Sequence, residues 1–326
     1  MGAQVGTNGR ELIETNEPNL VEDQFDYSLP PKIKFDGPLY EEIDGELVKF
    51  DPKEAVQRDL VITDTTFRDG QQARPPYTVE QQVALFDMMA QLGGPNGIVR
   101  QTEFFLYTNN DREALDQCRA LGHRYPEITS WIRADKGDFR LVKEAGVAET
   151  GMLTSSSDYH IFMKLKKDRR KAFDDYLEVV EAAWEADIRP RCHLEDVTRA
   201  DIDGFVMPFV CELVRRSEQV APDMHVKIRL CDTMGFGIPT PGVELPRSIP
   251  KLIYRMTHDL GIPQDCLEWH GHNDFHKVVT SEFWLCGDTV NIEGNLIIPF
   301  FPYLLVRKSN GPDAGDLAFD QQFPLP

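Results

Sequence analysis

The sequence has little positive charge. Of its 326 residues, 35 are Lys or Arg and 54 are Asp or Glu, which gives a formal net charge of −19. A chain of that sign is repelled by a polyphosphate backbone, so no nucleic-acid partner is expected. The hydrophobic content of 41% provides for a sizeable core and excludes a disordered or collagen-like chain.

The sequence also has no closely spaced pair of cysteines. Its six cysteines are spread along the chain and form no C-x-x-C motif. They are Cys118, Cys192, Cys211, Cys231, Cys266 and Cys286. This spacing gives no thiolate zinc signature and is typical of reduced thiols, so we predict a cytoplasmic protein.

Long hydrophobic runs are absent as well. The longest extends from Leu296 to Val306 and is interrupted by Pro299 and Pro302. It is shorter than the roughly 20 residues that cross a bilayer. The N-terminus has neither a basic n-region nor an apolar h-region, so we predict no secretory signal and no membrane partner.

Residues 1–58 are acidic and contain several prolines. Within them, the segments LYEEI and ELVKF flank Asp44 and Gly45, a residue pair that favours a two-residue hairpin turn. We therefore predict an N-terminal arm with a small hairpin. Such an arm suits a contact in a homodimer about as well as it suits a solvated leader.

From Leu60 onward, short apolar or β-branched runs alternate with longer amphipathic stretches. This alternation is typical of repeated βα units around a parallel sheet. Seven runs have the character of strands, and an eighth candidate lies at residues 289–296. The seven are LVITD from Leu60, TEFFLY from Thr102, ITSWIRA from Ile128, ETGMLTS from Glu149, IRPRCHLE from Ile188, VKIRLCD from Val226 and LEWHGH from Leu267. The number of units favours a (β/α)8 TIM barrel over residues 59–298 rather than a doubly wound sheet. In both architectures the catalytic groups lie at the carboxyl ends of the strands.

The first predicted strand ends in a polar turn. The turn contains Asp64, Arg68, Asp69 and Gln72. Helix capping near Thr78 is one explanation for these residues, but a cap requires no arginine. The adjacent Arg68 and Asp69 also precede Gly70, which allows close approach of the backbone to a ligand. The turn is therefore a candidate binding site.

The seventh predicted strand ends with two histidines. Residues i and i+2 of a strand project to the same side, so His270 and His272 present two imidazoles to one point. We interpret the pair as metal ligands, and His276, which follows the strand, as structural or as a residue that supports the ligands. Because only the eighth strand separates the first strand from the seventh, Asp69 can join them across about 10 Å. This donor set suits Zn²⁺, Mn²⁺, Co²⁺, Fe²⁺ or Mg²⁺.

Two further strand ends carry polar groups. The fifth is followed by Glu195, Asp196, Thr198 and Arg199, and the sixth by Asp232 and Thr233. Each set alone is also explained by helix caps. Four polar strand ends at one barrel mouth, however, indicate a catalytic barrel.

The segments DTTFRDGQQ, HLEDVTRAD, LCDTMG and HGHND, in this order, resemble the metal-dependent aldol and Claisen barrel enzymes. That group includes 2-isopropylmalate synthase, homocitrate synthase, citramalate synthase, Re-type citrate synthase and the 3-hydroxy-3-methylglutaryl-CoA lyases. The resemblance extends from about Arg58 to Asn291. It implies an acyltransferase that condenses acetyl-CoA with a 2-oxo acid and hydrolyses the thioester.

The resemblance also implies roles for individual residues. Arg68 is expected to stabilise oxyanion charge, and Glu195 is the candidate base that removes the acyl methyl proton. The expected ligands of a divalent metal (Mn²⁺, Mg²⁺, Co²⁺ or Zn²⁺) are Asp69, His270 and His272. Substrate binding is assigned to Gln72, Thr233 and Arg199.

The sequence departs from the family pattern after Asn291. Members usually continue with a Gly-Glu-Arg-Thr-Gly-Asn type segment, whose Asn helps to complete the metal site. Here a different, proline-broken tail follows at residues 299–326, so the eighth unit is expected to be atypical and incomplete. One hypothesis is a shifted reading frame, which resequencing would test. A leucine-sensing regulatory domain is not expected.

Alternatives to the condensing enzyme are left open by the sequence. One is a metal-dependent hydroxyacyl-CoA lyase on the same fold, and another is an impaired barrel that serves only as a binding subunit. The sequence also does not distinguish 2-oxoisovalerate, 2-oxoglutarate and oxaloacetate as the 2-oxo acid.

Overall fold

The structure is a computed structural model. It describes residues 12, 14, 15, 18, 40–43, 46–49, 61–72, 75–238, 243–272 and 291–294. The predicted tail at 299–326 and the residues Asn273, Asp274 and His276 lie outside this set, so the interpretation of His276 stays a prediction. The boundaries proposed for the arm, the barrel and the tail also stay predictions.

The described residues contain ten strands, which belong to two sheets. In the first, β1 (Tyr40–Ile43) and β2 (Glu46–Lys49) are antiparallel, at the position where the sequence predicts a hairpin. The second sheet is a closed parallel barrel. Its strands are β3 (Ile62–Asp64), β4 (Val99–Phe104), β5 (Glu127–Ile132), β6 (Glu149–Ser155), β7 (Arg189–Glu195), β8 (Lys227–Asp232), β9 (Leu267–Gly271) and β10 (Asn291–Gly294).

The strand at the end of the described chain closes the barrel. β10 pairs in parallel with β9 on one side and with β3 on the other. Because a parallel strand with two neighbours leaves no free sheet edge, the eight strands form a ring. The predicted (β/α)8 barrel is thereby confirmed, and the eighth strand lies within the predicted residues 289–296.

Helices follow six of the barrel strands in the described chain. They are α1 (Val79–Gly93), α2 (Asn109–Ala120), α3 (Phe139–Glu144), α4 (Arg169–Glu185), α5 (Met207–Val220) and α6 (Ile249–Tyr254). Wider π-helical turns occur at Tyr159–Lys164, Ile202–Val206 and Arg255–Asp259. No helix among the described residues combines the length and the apolar character needed to cross a membrane.

The hydrophobic core lies between the strands and the helices. Alternate strand residues point outward, so Cys192, Leu194, Ile228, Leu230 and Trp269 are buried under the helices at 2% exposure or less. A buried leucine or isoleucine side chain stabilises the fold by about 1.5–3 kcal/mol. This layer therefore supplies the hydrophobic stabilisation and leaves the inner faces of the strands available for other residues.

The inside of the barrel is ionic. Most barrels of this class fill that space with branched aliphatic side chains. Here the inward positions of several strands carry charged residues that pair across the barrel. These residues are Glu103, Glu149, Arg191, Lys227, Arg229 and Glu268. We call them, together with Arg68 and Asp69, the interior network.

The start of α1 illustrates how local sequence determines an element. Thr78 Oγ1 accepts a hydrogen bond from the backbone N–H of Gln81 at 3.3 Å, and Gln81 Oε1 accepts one from the backbone N–H of Thr78 at 3.0 Å. This reciprocal capping box satisfies two N–H groups that the helix itself leaves without partners.

We expect Thr78→Ala to lower the free energy of unfolding by about 1 kcal/mol, because the capping acceptor is lost. Urea denaturation measures the change. The matched control is Leu92→Ala on the same helix, where a side chain 62% exposed is shortened and a change within about 0.5 kcal/mol is expected. A Thr78→Ala variant as stable as the parent would contradict the role of the cap.

Candidate metal centre

Three side chains from two distant segments meet at the mouth of the barrel. The Nε2 atoms of His270 and His272 are 2.7 Å apart. Asp69 Oδ2 lies 3.3 Å from His270 Nε2 and 3.5 Å from His272 Nε2. The sequence predicted this group, and among the described residues it is the cluster whose donor atoms converge as metal ligands do.

The donor atoms fit a divalent cation. Nitrogen and oxygen ligands bind first-row cations and Mg²⁺ at about 2.0–2.2 Å, so neighbouring ligands around one ion are about 3 Å apart. The three separations of 2.7, 3.3 and 3.5 Å are close to that value. Two imidazoles and one carboxylate also leave positions open for a substrate, as catalytic sites require.

The chain brings the two histidines together through strand geometry. His270 lies on β9, paired with Glu293 of β10 and Cys231 of β8, and is 4% exposed. His272 follows two residues later and therefore projects to the same side. The ligand spacing is thus a property of the extended backbone at the end of β9.

The turn after β3 is held by hydrogen bonds within its own segment and by one from the neighbouring strand β4. Asp64 accepts hydrogen bonds from the backbone N–H and the hydroxyl of Thr66 and from the hydroxyl of Thr102. The Gln71 side chain donates to the carbonyl of Phe67 and accepts from the backbone N–H of Tyr77 at 2.7 Å. Asp64 therefore shapes the turn, while Asp69 reaches the ligand position.

Arg68 and Gln72 surround the metal-ligand carboxylate. Arg68 Nη1 donates to Asp69 Oδ1 at 3.1 Å, and Gln72 Nε2 donates to the same oxygen at 2.5 Å. Burial acts to raise the pKa of Asp69, but the hydrogen bond from His270 and the charge of Arg68 outweigh it and lower that pKa below its usual range. Asp69 is therefore ionised, which is the state in which a carboxylate can bind a metal ion.

Glu195 lies at the same level of the barrel, two strands away. It pairs with Cys231, which pairs with His270, so the Cα atoms of Glu195 and His270 are about 10 Å apart at the usual strand spacing. The carboxylate of Glu195 contacts His160 Nδ1 at 3.0 Å and Lys164 Nζ at 3.0 Å. Glu195 thus faces the same mouth as the metal ligands.

Partners on the π-helical turn determine the charge state of Glu195. Burial acts to raise its pKa, but the hydrogen bond and charge of His160, with smaller contributions from Ser155 and Lys164, lower that pKa to about 2. The group is therefore a carboxylate throughout the neutral range. The sequence assigned no role to His160 or Lys164, because the segment SSSDYHIFMK, with one aspartate and one lysine, has no charge pattern that marks a site.

Thr233 and Arg199 lie beside Asp196, after strands β8 and β7. Thr233 Oγ1 accepts from the backbone N–H of Asp196 at 2.8 Å. Arg199 donates to both carboxylate oxygens of Asp196, and its guanidinium stacks over Tyr159 at 4.3 Å. The structure therefore divides the predicted substrate-binding residues, with Gln72 at the metal ligands and the other two around Asp196.

The interior network was also not predicted from the sequence. Its signal was present in the strands, where charged residues recur at every second position: Arg191, His193 and Glu195 on one strand, and Lys227 and Arg229 on the next. A period of two places them on one face. In parallel strands, which read as apolar runs when both faces are buried, such a face indicates a polar barrel interior.

The fold and the site together define a closed (β/α)8 barrel whose carboxyl-end mouth holds two imidazoles and a carboxylate that could bind a metal ion. The chain belongs to the HMGL-like family, which it matches over residues 59–282. The resemblance that the sequence motifs carried is therefore confirmed.

Curated relatives are similar over most of this chain. The citrate (Re)-synthase of Syntrophus aciditrophicus is 52% identical over 279 residues, which cover 85% of this chain and 42% of that protein. The citrate (Re)-synthase of Clostridium kluyveri is 48% identical, with coverages of 85% and 58%. The chain thus spans about half the length of these relatives.

A solved structure has the same fold. The hydroxymethylglutaryl-CoA lyase of Pseudomonas aeruginosa superposes with a TM-score of 0.55 at 20% identity, covering 72% of this chain and 76% of that one. At this identity the similarity establishes the barrel architecture and not the reaction.

Proposed function

We propose that this chain carries the catalytic barrel of a metal-dependent acyltransferase that condenses acetyl-CoA with a 2-oxo acid and releases free CoA. The convergence of Asp69, His270 and His272 at the barrel mouth is the observation that carries the proposal. The similarity to two citrate (Re)-synthases supports it. The metal is proposed to be Mn²⁺, Mg²⁺, Co²⁺ or Zn²⁺.

The residues around Asp69, His270 and His272 have different proposed roles. When bound, a divalent cation supplies Lewis acidity toward the carbonyl of the 2-oxo acid. The Arg68 guanidinium, 6% exposed and 3.1 Å from Asp69 Oδ1, is positioned to donate to oxygen charge that develops at that carbonyl. Gln72 shares the same Asp69 oxygen and lines the same side of the site.

The charge of the interior network favours a dianionic 2-oxo acid. In the network as defined, four cations are matched by four anions, linked by the ion pairs that join Asp69 to Lys227. The network therefore has no spare negative charge to offset a dication. A substrate with two carboxylates supplies it, which favours oxaloacetate or 2-oxoglutarate over 2-oxoisovalerate. Because the chain is similar to two citrate (Re)-synthases, we propose oxaloacetate, with citrate as the product.

We propose that Glu195 and its neighbour His160 together remove the proton from the acyl methyl group. A carboxylate with a pKa of about 2 is itself a weak base, but it can orient the neutral form of an adjacent imidazole, and this form accepts the proton. His160 Nδ1 lies 3.0 Å from Glu195 Oε2. We therefore propose that Glu195 acts as an ionised carboxylate in a pair with His160. We propose that Arg199 and Thr233, through their contacts with Asp196, hold the loop after β7 beneath the substrate.

We expect Glu195→Gln to lower kcat by about 100-fold or more, because the neutral amide cannot orient and stabilise a charged imidazole. Steady-state kinetics measure the change. The matched control is Glu178→Gln, which removes a carboxylate 62% exposed at the surface, ion-paired with Lys136 at 3.0 Å. Parental kcat in Glu195→Gln would remove Glu195 from the mechanism.

Release of free thiol from acetyl-CoA tests the reaction. The chain is assayed with Mn²⁺ or Mg²⁺ and a panel of oxaloacetate, 2-oxoglutarate and 2-oxoisovalerate. Thiol release that depends on one of these acids is the expected result. Cleavage of a hydroxyacyl-CoA without condensation would instead establish a lyase on the same fold. Metal binding with neither reaction would leave the barrel as a binding subunit.

A further inference from the structure

Arg229 is an arginine on the inner face of β8 with no exposed surface. Its Nη1 donates to Glu103 Oε1 at 2.7 Å, and its Nε donates to Glu268 Oε2 at 2.8 Å. These carboxylates come from β4 and β9, which are not neighbours in the barrel. A single guanidinium therefore joins two strands that backbone hydrogen bonds do not connect.

Glu103 connects Arg229 to the metal ligands. Its second oxygen, Oε2, accepts from Arg68 Nε at 2.8 Å. Arg68 Nη1 in turn donates to Asp69 Oδ1 at 3.1 Å. Three successive ion pairs thus lead from Arg229 to the carboxylate that faces the two histidines.

Glu103 is a charged link in this chain of contacts. Burial acts to raise its pKa, but the charges of Arg229 and Arg68 hold that pKa well below the usual range. Each of its two oxygens is held by a different arginine, so the carboxylate has little freedom to rotate. Glu103 therefore determines the position of Arg68, and Arg229 determines the position of Glu103.

The surroundings of Arg229 hold it in one orientation. His193 Nε2 lies 2.9 Å from Arg229 Nη1. Because a guanidinium only donates, Nε2 is the acceptor and the His193 proton lies on Nδ1. β6 has Gly151 at this level, where a Cβ would overlap the His193 ring and lie 2.9 Å from Glu103 Oε1. The close packing requires glycine.

Glu268, the second carboxylate that Arg229 contacts, links Arg229 to β9. Glu268 precedes His270 by two residues, so both side chains project from the same face of the strand. Arg229 thereby anchors the inner face of the strand that carries the metal ligands, besides holding Glu103.

We propose that Arg229 is a positioning residue of the metal centre: it holds Glu103 so that the guanidinium of Arg68 stays beside Asp69 and faces the bound 2-oxo acid. Its kinetic consequence rests on the proposed function. Without Arg229, the nearest remaining cation on Glu103 Oε1 is Arg191 at 3.2 Å, and the carboxylate moves toward it. A displacement of about 1 Å in a group that orients a substrate can cost about 100-fold in rate.

Arg229→Gln and Lys227→Gln form a matched pair of variants. Lys227 lies two residues earlier on the same face of β8, is 8% exposed and pairs with Glu149 Oε2 at 2.9 Å. Each substitution removes one buried cation from the interior network, but Arg229 contacts Glu103 whereas Lys227 contacts Glu149. We expect kcat to fall about 100-fold in Arg229→Gln and by a much smaller factor in Lys227→Gln, which removes the same charge but leaves Glu103 in place.

A conservative variant covers the case in which Arg229→Gln does not fold. Arg229→Lys keeps the charge, but an ammonium group cannot reproduce the planar fork that serves Glu103 and Glu268 together. We expect Arg229→Lys to fold and to lose less kcat than Arg229→Gln while still falling below the parent.

Oxalate binding provides a readout that does not require turnover. At saturating Mn²⁺, oxalate is titrated into the parent and the variants and followed by electron paramagnetic resonance of the Mn²⁺. Because a misplaced Arg68 loses a charged hydrogen bond to the dianion, we expect the oxalate affinity to weaken about tenfold in Arg229→Gln and by a smaller factor in Lys227→Gln.

A double-variant cycle separates positioning from general destabilisation. If Arg229 acts through Glu103, the combined Glu103→Gln and Arg229→Gln variant loses no more kcat than Glu103→Gln alone. Additive losses would overturn the proposal, as would parental kcat and oxalate affinity in the Arg229 variants, or equal losses in Lys227→Gln.

Measurements on the parent protein distinguish a failure of this proposal from a failure of the proposed function. A parent that binds Mn²⁺ and oxalate but releases no thiol would contradict the condensation reaction alone, and the oxalate titration would then decide the role of Arg229. A parent that binds no Mn²⁺ would overturn both.

Discussion

His270→Ala is expected to abolish metal binding and activity together. His270 supplies the central donor of the triad, 2.7 Å from His272 Nε2 and 3.3 Å from Asp69 Oδ2. Its loss leaves two ligands, one of them 28% exposed. We expect the Mn²⁺ affinity to fall more than about 100-fold and kcat/KM to fall more than about 1,000-fold, because several kcal/mol of carbonyl polarisation are lost.

Mn²⁺ titration monitored by electron paramagnetic resonance measures the affinity, and the thiol-release assay measures the rate. The matched control is His123→Ala, which removes a surface histidine paired with Asp87 at 2.7 Å and should change neither value. If His270→Ala bound Mn²⁺ as tightly as the parent, the metal centre would have to lie elsewhere and the condensation mechanism would lose its basis.

Arg68→Lys is the second change with a large expected effect. Arg68 uses Nε for Glu103 and Nη1 for Asp69, two contacts from different edges of one planar group. A lysine has a single ammonium group and cannot hold both carboxylates while also facing a substrate oxygen. We expect kcat to fall about 100- to 1,000-fold, the loss typical for removal of one oxyanion donor.

Metal binding should survive this change, because Arg68 contacts a metal ligand but is not one. Measurement of kcat, KM and Mn²⁺ affinity on the same preparation distinguishes the two effects. The control is Arg140→Lys, at a surface pair with Glu144 where the arginine side chain is 73% exposed. Parental kcat in Arg68→Lys would show that its charge alone is sufficient.

The elements that sequence patterns predicted well are those whose residues alternate in a simple way. The strand predicted at residues 149–155 is β6 with the same bounds. β4 starts at Val99, three residues before the predicted start at Thr102, because Arg100 and Gln101 interrupt the apolar pattern. Their polarity reflects where their side chains lie around the barrel and does not prevent strand formation.

Part of the site was also predictable from local rules. His270 and His272 share a face because the strand period is two, and Asp69 joins them because the barrel closes. The charge state of Glu195 was not predictable, since it depends on His160 and Lys164 in a π-helical turn that follows a different strand. A turn of that kind has no clear signature in a single sequence.

The sequence by itself determined the order of the βα units, the strand ends that carry the candidate ligands, and the family, because each of these depends on residues close together in the chain. Only the tertiary structure decided which buried charges meet. Arg229 and Glu103 are 126 positions apart and come into contact at 2.7 Å only once the barrel is closed. Pairing across a barrel interior depends on strand register and closure, which local periodicity does not encode.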